Sequence, residues 1–258
     1  MDIETLEETD EHIKFVLNNA SPAFANALRR TMIAKVPTMA VTEVDFINNT
    51  SGLFDEVLAH RIGLIPWRFD REHYEMQGED DEAEPTNQVE LVLTKEGETK
   101  VTADDFQPTD TSVEPVNPGI PIVELLEGQE LELEARAELG VGKDHAKYQA
   151  ANASYIYYPV VTVNGTEVEN AEEAVRVAPE QVKDADGPVE ADSDIVYAME
   201  ETIDIEEGDE IEVVEHDDTF IFSVESVSGY TARELLITAA DILEDELDEF
   251  EDATAAAL

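Results

Sequence analysis

The stretch HIKFVLNNASPAFANALRRTMIAKVP, residues 12–37, decides the class of fold. Residues His12–Leu17 alternate between apolar and polar positions, which is the period of a half-buried strand. Ser21 and Pro22 then supply an N-cap and a proline at the first helical position. The helix ends near Val36, because a proline follows. The apolar face of the strand carries Ile13, Phe15 and Leu17, and that of the helix carries Phe24, Leu28 and Met32.

The rest of the chain is mostly strand-like, so the sequence predicts an α+β fold. A second short helix is predicted at Leu53–Ile62, where Ser51 and Gly52 open it and Gly63 and Pro66 stop it. Alternation or β-rich composition between Gly and Pro clusters predicts strands at Val41–Ile47, Val89–Thr94, Glu130–Ala137, Ser154–Val163, Glu210–Val214 and Phe220–Val227. Pro159 indicates an edge or a bend. Glu72–Asn87 is predicted as an acidic loop, and Asn164–Asp194 as a small acidic subdomain.

The last predicted helix carries a regular apolar seam. It starts at Thr231, which forms a T-x-x-E capping box with Glu234. The seam residues step by 4, 3, 4 and 3, and they are Leu236, Ala240, Leu243, Leu247 and Phe250. The other faces are acidic, so the helix buries one stripe only. Spacing alone leaves two readings open with about equal weight: packing within its own domain, or pairing with a partner helix.

The charge balance is extreme, with 63 acidic residues against 15 basic ones and a net charge of -48. In dilute buffer this self-repulsion opposes any compact state. At molar salt the screening length falls to about 3 Å, and the charges interact only with near neighbours. Acidic residues run along the whole chain, so an acidic tail on an ordinary domain is the less favoured reading. The composition predicts a halophile's protein with a folded core, since 42% of residues are hydrophobic.

The chain contains no cysteine, so disulfides, thiolate zinc sites, iron–sulfur clusters and a cysteine nucleophile are excluded. Its N-terminus lacks a basic region followed by an apolar one, and no apolar run approaches the roughly 20 residues needed to span a bilayer. We therefore expect a soluble cytoplasmic protein without a cofactor or a resident metal.

Motifs of known catalytic sites are missing from the sequence. It has no phosphate-binding P-loop, no H-E-x-x-H and no G-x-S-x-G. The glycines near Gly140 have the wrong spacing for a nucleotide fingerprint, and the run beginning at Asp184 has its glycine at the wrong position for a calcium loop. His60 and His145 have no second histidine at ligand spacing, so a structural role is the simpler interpretation. We expect no catalytic residue in this chain.

Basic residues concentrate in one window, residues 26–71. Six of the fifteen fall there: Arg29, Arg30, Lys35, Arg61, Arg68 and Arg71. Each arginine retained on such an acidic background is expected to have a fixed carboxylate or phosphate partner. Direct DNA binding is disfavoured, because the chain as a whole would repel a duplex. Arginines interleaved with Leu, Ile and Trp are typical of a protein–protein surface.

Three segments resemble the alpha-like subunit family of DNA-directed RNA polymerases. The first is NALRRTM at residues 26–32, continuing through VPTMA at residues 36–40. The second is NTSGLFDEVLAHRIGLIP at residues 49–66. The third is GKDHAKY at residues 142–148, which resembles a loop of the archaeal and eukaryotic branch, with Lys143, His145 and Lys147 as its family residues. The resemblance spans roughly Ile13 to Phe250. The lack of a separate C-terminal DNA-binding domain points away from the bacterial branch.

The resemblance implies a discontinuous dimerisation domain of a sheet plus two helices, residues 1–39 with 210–258. It implies a mainly β insert domain at residues 40–209, including the acidic subdomain at about 164–197. Some archaeal relatives hold an iron–sulfur cluster in that subdomain, but no cysteine is present here. The family heterodimerises with subunit L, and the implied interface comprises Phe24, Leu28, Met32, Leu236, Ala240, Leu243, Leu247 and Phe250.

The resemblance further implies docking of the small subunits N and P and of the large catalytic subunits. Arg29, Arg30, His60 and Arg61 are the residues expected to anchor the large subunits. The leading hypothesis is a non-catalytic assembly subunit of the archaeal polymerase, a nucleotidyltransferase complex that acts in transcription. Two alternatives remain open: a stand-alone acidic scaffold or binding protein of a halophile, and a metal-dependent enzyme using clustered carboxylates. Copurification with larger chains distinguishes a polymerase subunit from a free scaffold.

Overall fold

A computed structural model describes residues 1–71, 73, 74, 76, 88–163, 166, 167 and 211–257. The fold is α+β, as the sequence predicts, and strands predominate. The α-helices are α1 (Pro22–Ala34), α2 (Asp55–Gly63) and α3 (Ala232–Ala257). The strands are β1 (Asp2–Glu8), β2 (His12–Asn18), β3 (Pro37–Asn49), β4 (Trp67–Arg68), β5 (Gln88–Glu96), β6 (Thr99–Thr102), β7 (Gln107–Pro108), β8 (Glu114–Pro115), β9 (Pro121–Leu125), β10 (Glu130–Val141), β11 (Ala151–Val163), β12 (Thr166–Glu167) and β13 (Ile211–Ser226).

The chain divides into two compact units. The first comprises Met1–Glu8, Ile13–Ala27 and Ser154–Ser223, and the second comprises Thr9–His12, Leu28–Ala153 and Val224–Leu258. These units are defined by contacts within the chain. The predicted dimerisation and insert domains are defined by the partners that they bind, so that division stays a prediction.

The first unit contains most of a five-stranded sheet of order β1-β2-β13-β11-β12. Its core is aromatic: Phe15 of β2 stacks on Phe222 of β13 with ring centroids 5.0 Å apart. Tyr155 of β11 contacts Phe220 edge-on at 5.3 Å. The predicted alternation of β2 is confirmed at its three inward positions, but Val16 is also buried. Both faces of this strand are therefore covered near its centre.

The second unit is built on an antiparallel six-stranded sheet of order β7-β5-β10-β3-β4-β8. Its central strand, β10, buries every second residue from Leu131 to Ala137, and Leu133 lies between Phe46 of β3 and Leu93 of β5. The strand pair β6 and β9 forms a separate small sheet. Burial of one face of each strand is the pattern expected of an antiparallel sheet with one solvated side.

The helix α2 supplies Leu58 and Ile62 to the core of this second unit. The same core contains Trp67, which meets Phe106 edge-on with ring centroids 5.7 Å apart. The opposite, solvent-facing side of the six-stranded sheet carries Arg136, whose guanidinium lies 2.7 Å from a carboxylate oxygen of Glu43. Apolar and charged residues are thus segregated between the two faces of the sheet.

Helices α1 and α3 begin at the capping residues that the sequence predicts. At α1 the Ser21 hydroxyl accepts a hydrogen bond from the Phe24 N–H at 3.2 Å. At α3 the Thr231 hydroxyl accepts from the Glu234 N–H at 3.2 Å, while the Glu234 carboxylate accepts from the Thr231 N–H at 2.8 Å. The predicted capping box is therefore confirmed.

Some predicted bounds are wrong. The strands predicted at Glu210–Val214 and Phe220–Val227 are one long strand, β13. The short second helix begins two residues later than predicted, at Asp55. Most of the predicted loop Glu72–Asn87 lies outside the described residues, as does almost all of the predicted acidic subdomain. Helices in the described part of the chain are all too short or too polar to cross a membrane.

Candidate protein–protein interfaces

Helix α3 has an inner face that is buried in the folded chain. Ala232, Leu235, Thr238 and Ala239 are buried along its first two turns. These positions recur every three or four residues, so they form one stripe. Spacing over the whole helix favoured a different stripe, and this inner face was missed because it is short and includes a threonine. Burial within the chain therefore involves only the first half of α3.

The predicted seam lies beside this inner face, about a quarter turn around the helix. Leu236 and Leu243 are half-buried, and Ala240 is exposed. Leu247 and Phe250 expose 65% and 71% of their surface. From Glu244 to Ala256 every residue of the helix is exposed. The seam therefore lies largely outside the chain's own core, and its second half contacts little of it.

The predicted interface residues of α1 occupy different environments. Phe24 is half-buried, whereas Leu28 and Met32 are buried, Met32 completely. A side chain without exposed surface holds its own helix in place and does not touch a partner directly. Leu28 and Met32 are core residues in this structure, and Phe24 is the one of the three predicted α1 interface residues that has surface available.

Two of the expected docking arginines follow each other on α1. Arg29 is half-buried and interacts within the chain. Arg30 is exposed, and among the described residues it has no hydrogen-bond or ion-pair partner. The exposed guanidinium of Arg30 can form a bidentate pair with a carboxylate of another protein.

The other two docking residues, His60 and Arg61, are on the solvent side of α2. His60 is exposed. The Arg61 guanidinium donates to the backbone carbonyl of Ile122 at 2.8 Å, so this arginine ties α2 to β9. The structure gives Arg61 a role inside the chain that the sequence does not indicate.

An apolar strip on the same side of α2 was not singled out from the sequence. Phe54, Val57 and Leu64 are apolar, and with Arg61 they step by three, four and three residues along α2 and its two caps, which places them on one side of the helix. Phe54 exposes 80% of its surface and Leu64 53%. Leu58 and Ile62 face the core from the other side. The sequence contains the pattern that predicts this strip, because the apolar residues of this segment fall on two opposite sides of the helix.

The family loop packs tightly against neighbouring backbone. Gly140 lies against the ring of Tyr148, and Gly142 lies against the carbonyl oxygen of Ile33, so neither position has room for a Cβ. The Lys143 N–H donates to the Ala34 carbonyl at 2.9 Å. These contacts fix the loop at the end of α1.

The three family residues of this loop differ in exposure. Lys143 and His145 are exposed, and the Nδ1 of His145 accepts from the Lys147 N–H at 3.1 Å. The Lys147 ammonium donates to the Val41 carbonyl at 3.0 Å and lies 4.9 Å from the centre of the Tyr148 ring. Burial lowers the pKa of Lys147, and the carboxylate of Glu138 opposes that shift. Lys147 is therefore a structural residue that joins the loop to β3.

The remaining basic residues of the window have partners in the chain. Lys35 pairs with Glu246 of α3, and Arg68 pairs with Glu114 at 3.0 Å. Arg71 donates to the Thr238 hydroxyl at 2.6 Å and lies over the Tyr230 ring. Among the arginines, Arg68 has the carboxylate partner that the composition predicts, whereas Arg61 donates to a backbone carbonyl and Arg71 to a hydroxyl, so the expectation is met only in part.

Carboxylates and histidines in the described part of the chain form no group of three or more that could hold a metal ion. A cavity of about 600 Å³ lies on the solvent side of the six-stranded sheet. Asp45, Glu90, Glu134 and Arg136 line it. Arg136 is already paired with Glu43 and lies 3.5 Å from Asp45. We expect no catalytic residue or cofactor from this arrangement, and that expectation stays a prediction.

Comparison with known proteins gives consistent matches. Residues 44–160 match the family model of the RNA polymerase Rpb3/RpoA insert domain. The chain is 38% identical over 265 residues to DNA-directed RNA polymerase subunit Rpo3 of Methanosarcina acetivorans, covering 96% of each chain. It is 37% identical to subunit Rpo3 of Pyrococcus furiosus, covering 97% of this chain and 95% of the relative. It is 35% identical to subunit Rpo3 of Halobacterium salinarum, covering 98% and 96%.

These relatives match the chain over nearly its whole length, and the insert-domain match covers most of the six-stranded sheet and all of helix α2. The resemblance noted in the sequence is thereby confirmed. The chain belongs to the Rpo3 family of archaeal DNA-directed RNA polymerase subunits.

Proposed function

We propose that this chain is a non-catalytic assembly subunit of an archaeal DNA-directed RNA polymerase. In this role it pairs with subunit L and presents docking surfaces for the small subunits N and P and for the large catalytic subunits. The full-length similarity to Rpo3 subunits supports membership of such a complex. The observation that carries the pairing is α3, a 26-residue helix whose second half displays Leu247 and Phe250 to solvent.

Pairing with subunit L uses the seam of α3. Leu236, Ala240, Leu243, Leu247 and Phe250 provide the contact, with Phe24 of α1 as a further exposed residue. Leu28 and Met32 contribute from inside the chain, because they hold α1 in position. An exposed apolar stripe of this length is typical of an interaction site, so we expect a partner to cover it in the assembled complex.

Docking of the large subunits uses the solvent sides of α1 and α2. Arg29, Arg30 and His60 are the proposed anchors, and Arg61 contributes mainly by holding α2 on β9. The exposed Phe54, Val57 and Leu64 provide apolar surface next to these charges. Arginines beside exposed aromatic and aliphatic groups are typical of interaction hot spots. Subunits N and P are proposed to bind the insert domain, with Lys143 and His145 as exposed loop residues.

Chemistry belongs to other chains of the complex. Nucleotidyl transfer requires carboxylates that hold Mg²⁺ at the growing chain end, and we propose that the large subunits supply them. This chain then needs no cofactor, and the absence of cysteine excludes a thiolate-bound metal. The net charge of -48 supports a cytoplasm of high ionic strength as its location.

Co-expression with subunit L at molar KCl, followed by size-exclusion chromatography, tests this function. We expect the two chains to elute together at the size of a heterodimer. The alternative, a stand-alone acidic scaffold of a halophile, predicts that this chain elutes alone. Elution of unpaired chain under conditions where both proteins are folded contradicts the proposed pairing.

A further inference from the structure

The second half of α3, residues 244–257, has unusual electrostatics for a helix. Seven carboxylates lie within nine positions: Glu244, Asp245, Glu246, Asp248, Glu249, Glu251 and Asp252. Three acidic pairs stand four residues apart: Glu244 with Asp248, Asp245 with Glu249, and Asp248 with Asp252. Like charges at this spacing oppose helix formation. The last turn of α3 carries no basic residue to offset the negative end of the helix dipole.

Packing within the chain does not compensate this repulsion. Every residue from Glu244 to Ala256 is exposed, including Leu247 and Phe250. A helical segment of about 14 residues is marginal in water when it lacks tertiary contacts. Aspartate is also a weaker helix former than glutamate, and three of the seven acids are aspartates. The helicity of this half depends on extension from the buried first half.

Salt acts on this segment in two opposite ways. The pair between Lys35 and Glu246 is about 41% and 44% exposed on its two sides, so molar salt weakens it. The same salt screens the repulsion among all seven acids. Only one of them has a cationic partner among the described residues. Screening several repulsive pairs outweighs the loss of one attractive pair, so high salt favours the helix.

We propose that residues 244–257 form a conditional helix, which folds when salt screens its carboxylates or when a partner covers its apolar stripe, and which unwinds otherwise. The part that concerns the partner rests on the proposed function, since subunit L is the proposed partner. The part that concerns salt rests on this chain alone. Formation of the docking helix is thereby coupled both to ionic strength and to assembly.

Hydrogen exchange of the full chain, followed by mass spectrometry of its peptides, tests the salt dependence. The salt is lowered from molar KCl in steps, as far as the peptide covering residues 232–242 stays protected. Over that range we expect amides of residues 245–256 to exchange about tenfold faster or more, since local unfolding precedes global unfolding. Equal and unchanged protection of both halves overturns the proposal, as does loss of protection in both halves at the same salt.

Two variants identify charge repulsion as the cause. Asp248→Asn combined with Glu249→Gln removes the three acidic pairs within residues 244–257 that stand four residues apart. We expect this variant to keep residues 245–256 protected at low salt. Glu124→Gln combined with Glu127→Gln changes the net charge equally at exposed positions outside α3, and should behave as the unmodified chain. If both variants respond alike, local repulsion on α3 is not the cause and the proposal fails.

Adding subunit L at the lowered salt tests whether binding of this partner folds residues 244–257. Restored protection of residues 245–256 supports coupling of the helix to assembly. Binding of subunit L that leaves these amides unprotected overturns that coupling. If subunit L does not bind at any salt while the salt response of α3 persists, the proposed pairing is wrong and the conditional helix stands.

Discussion

At the residue scale, an exposed arginine and a tightly packed glycine are constrained in two different ways. Arg30 is exposed on a helix whose inner side is buried, although the chain has few cations. Gly142, by contrast, has no freedom at all, because backbone surrounds the position of a Cβ. We expect Arg30 to serve contact with a partner protein, whereas Gly142 is required by packing within the chain.

Arg30→Ala is expected to block recruitment of the large subunits without unfolding the chain. Arg30 is exposed in the free chain, so its loss should change stability by less than about 0.5 kcal/mol. Truncating one partner of a buried charge pair in an interface costs about 2–5 kcal/mol. Reconstitution of the polymerase at molar salt measures this, with Lys100→Ala as a control at another exposed basic position. If the Arg30→Ala variant assembles a normal polymerase, Arg30 does not anchor the large subunits.

Gly142→Ala is expected to destabilise the chain by about 1–3 kcal/mol, because overpacking forces a local shift. The added methyl would overlap the Ile33 carbonyl oxygen and lie 3.3 Å from the Cα atoms of Ala34 and Gln149. Gly52→Ala is the matched control, since a Cβ there meets nothing within 4 Å. Thermal melts at molar KCl compare them. Equal melting temperatures for the two variants would show that the loop is not held against α1.

At the scale of elements, α3 is one helix whose two halves lie in different environments. Its first half is fixed by a capping box and by Leu235 and Ala239 in the core. Its second half carries apolar residues that the chain leaves exposed. A single amphipathic pattern in the sequence therefore covers two neighbouring faces, of which the chain itself buries one and leaves the other largely exposed.

Leu243→Ala combined with Leu247→Ala is expected to abolish pairing with subunit L. Leu247 is exposed in the free chain and Leu243 is half-buried, so the free chain should melt nearly unchanged. Burial in the interface makes each large-to-small change cost about 2–5 kcal/mol in the complex. Size-exclusion chromatography of the co-expressed chains at molar salt measures pairing.

The contrasting variant is Leu235→Ala, on the inner face of the same helix. Leu235 is fully buried, so this change should destabilise the free chain itself by about 2–5 kcal/mol. If the double variant at Leu243 and Leu247 still runs as a stable heterodimer, the seam does not form the interface with subunit L.

At the scale of the whole molecule, the sequence predicts the strands and helices well where local patterns are strong. The strand His12–Leu17, the helix from Pro22 and the capping box of α3 all follow from residue spacing and cap chemistry. The inner face of α3 could not be predicted, because which of two adjacent apolar faces is buried depends on contacts that are distant in the sequence, such as that of Thr238 with Arg71. The hydrogen bond from Arg61 to the Ile122 carbonyl could not be predicted either, because 61 positions separate the two residues.

Lowering the salt is expected to unfold or aggregate the isolated chain, because 63 carboxylates lose their screening. The total stability of a domain is only about 5–15 kcal/mol, so repulsion spread over the whole surface is sufficient to exceed it. Circular-dichroism melts in dilute buffer and in molar KCl measure the effect. Identical melts in the two solvents would remove the argument for a halophilic protein.

The central claim is that this chain works as a subunit of a large polymerase. Native purification from cells at molar salt, with identification of the copurifying chains by mass spectrometry, tests it most directly. We expect elution with much larger chains, together with subunits L, N and P, in constant proportion. Elution of the folded chain alone, near its own mass of 28.6 kDa, would contradict it.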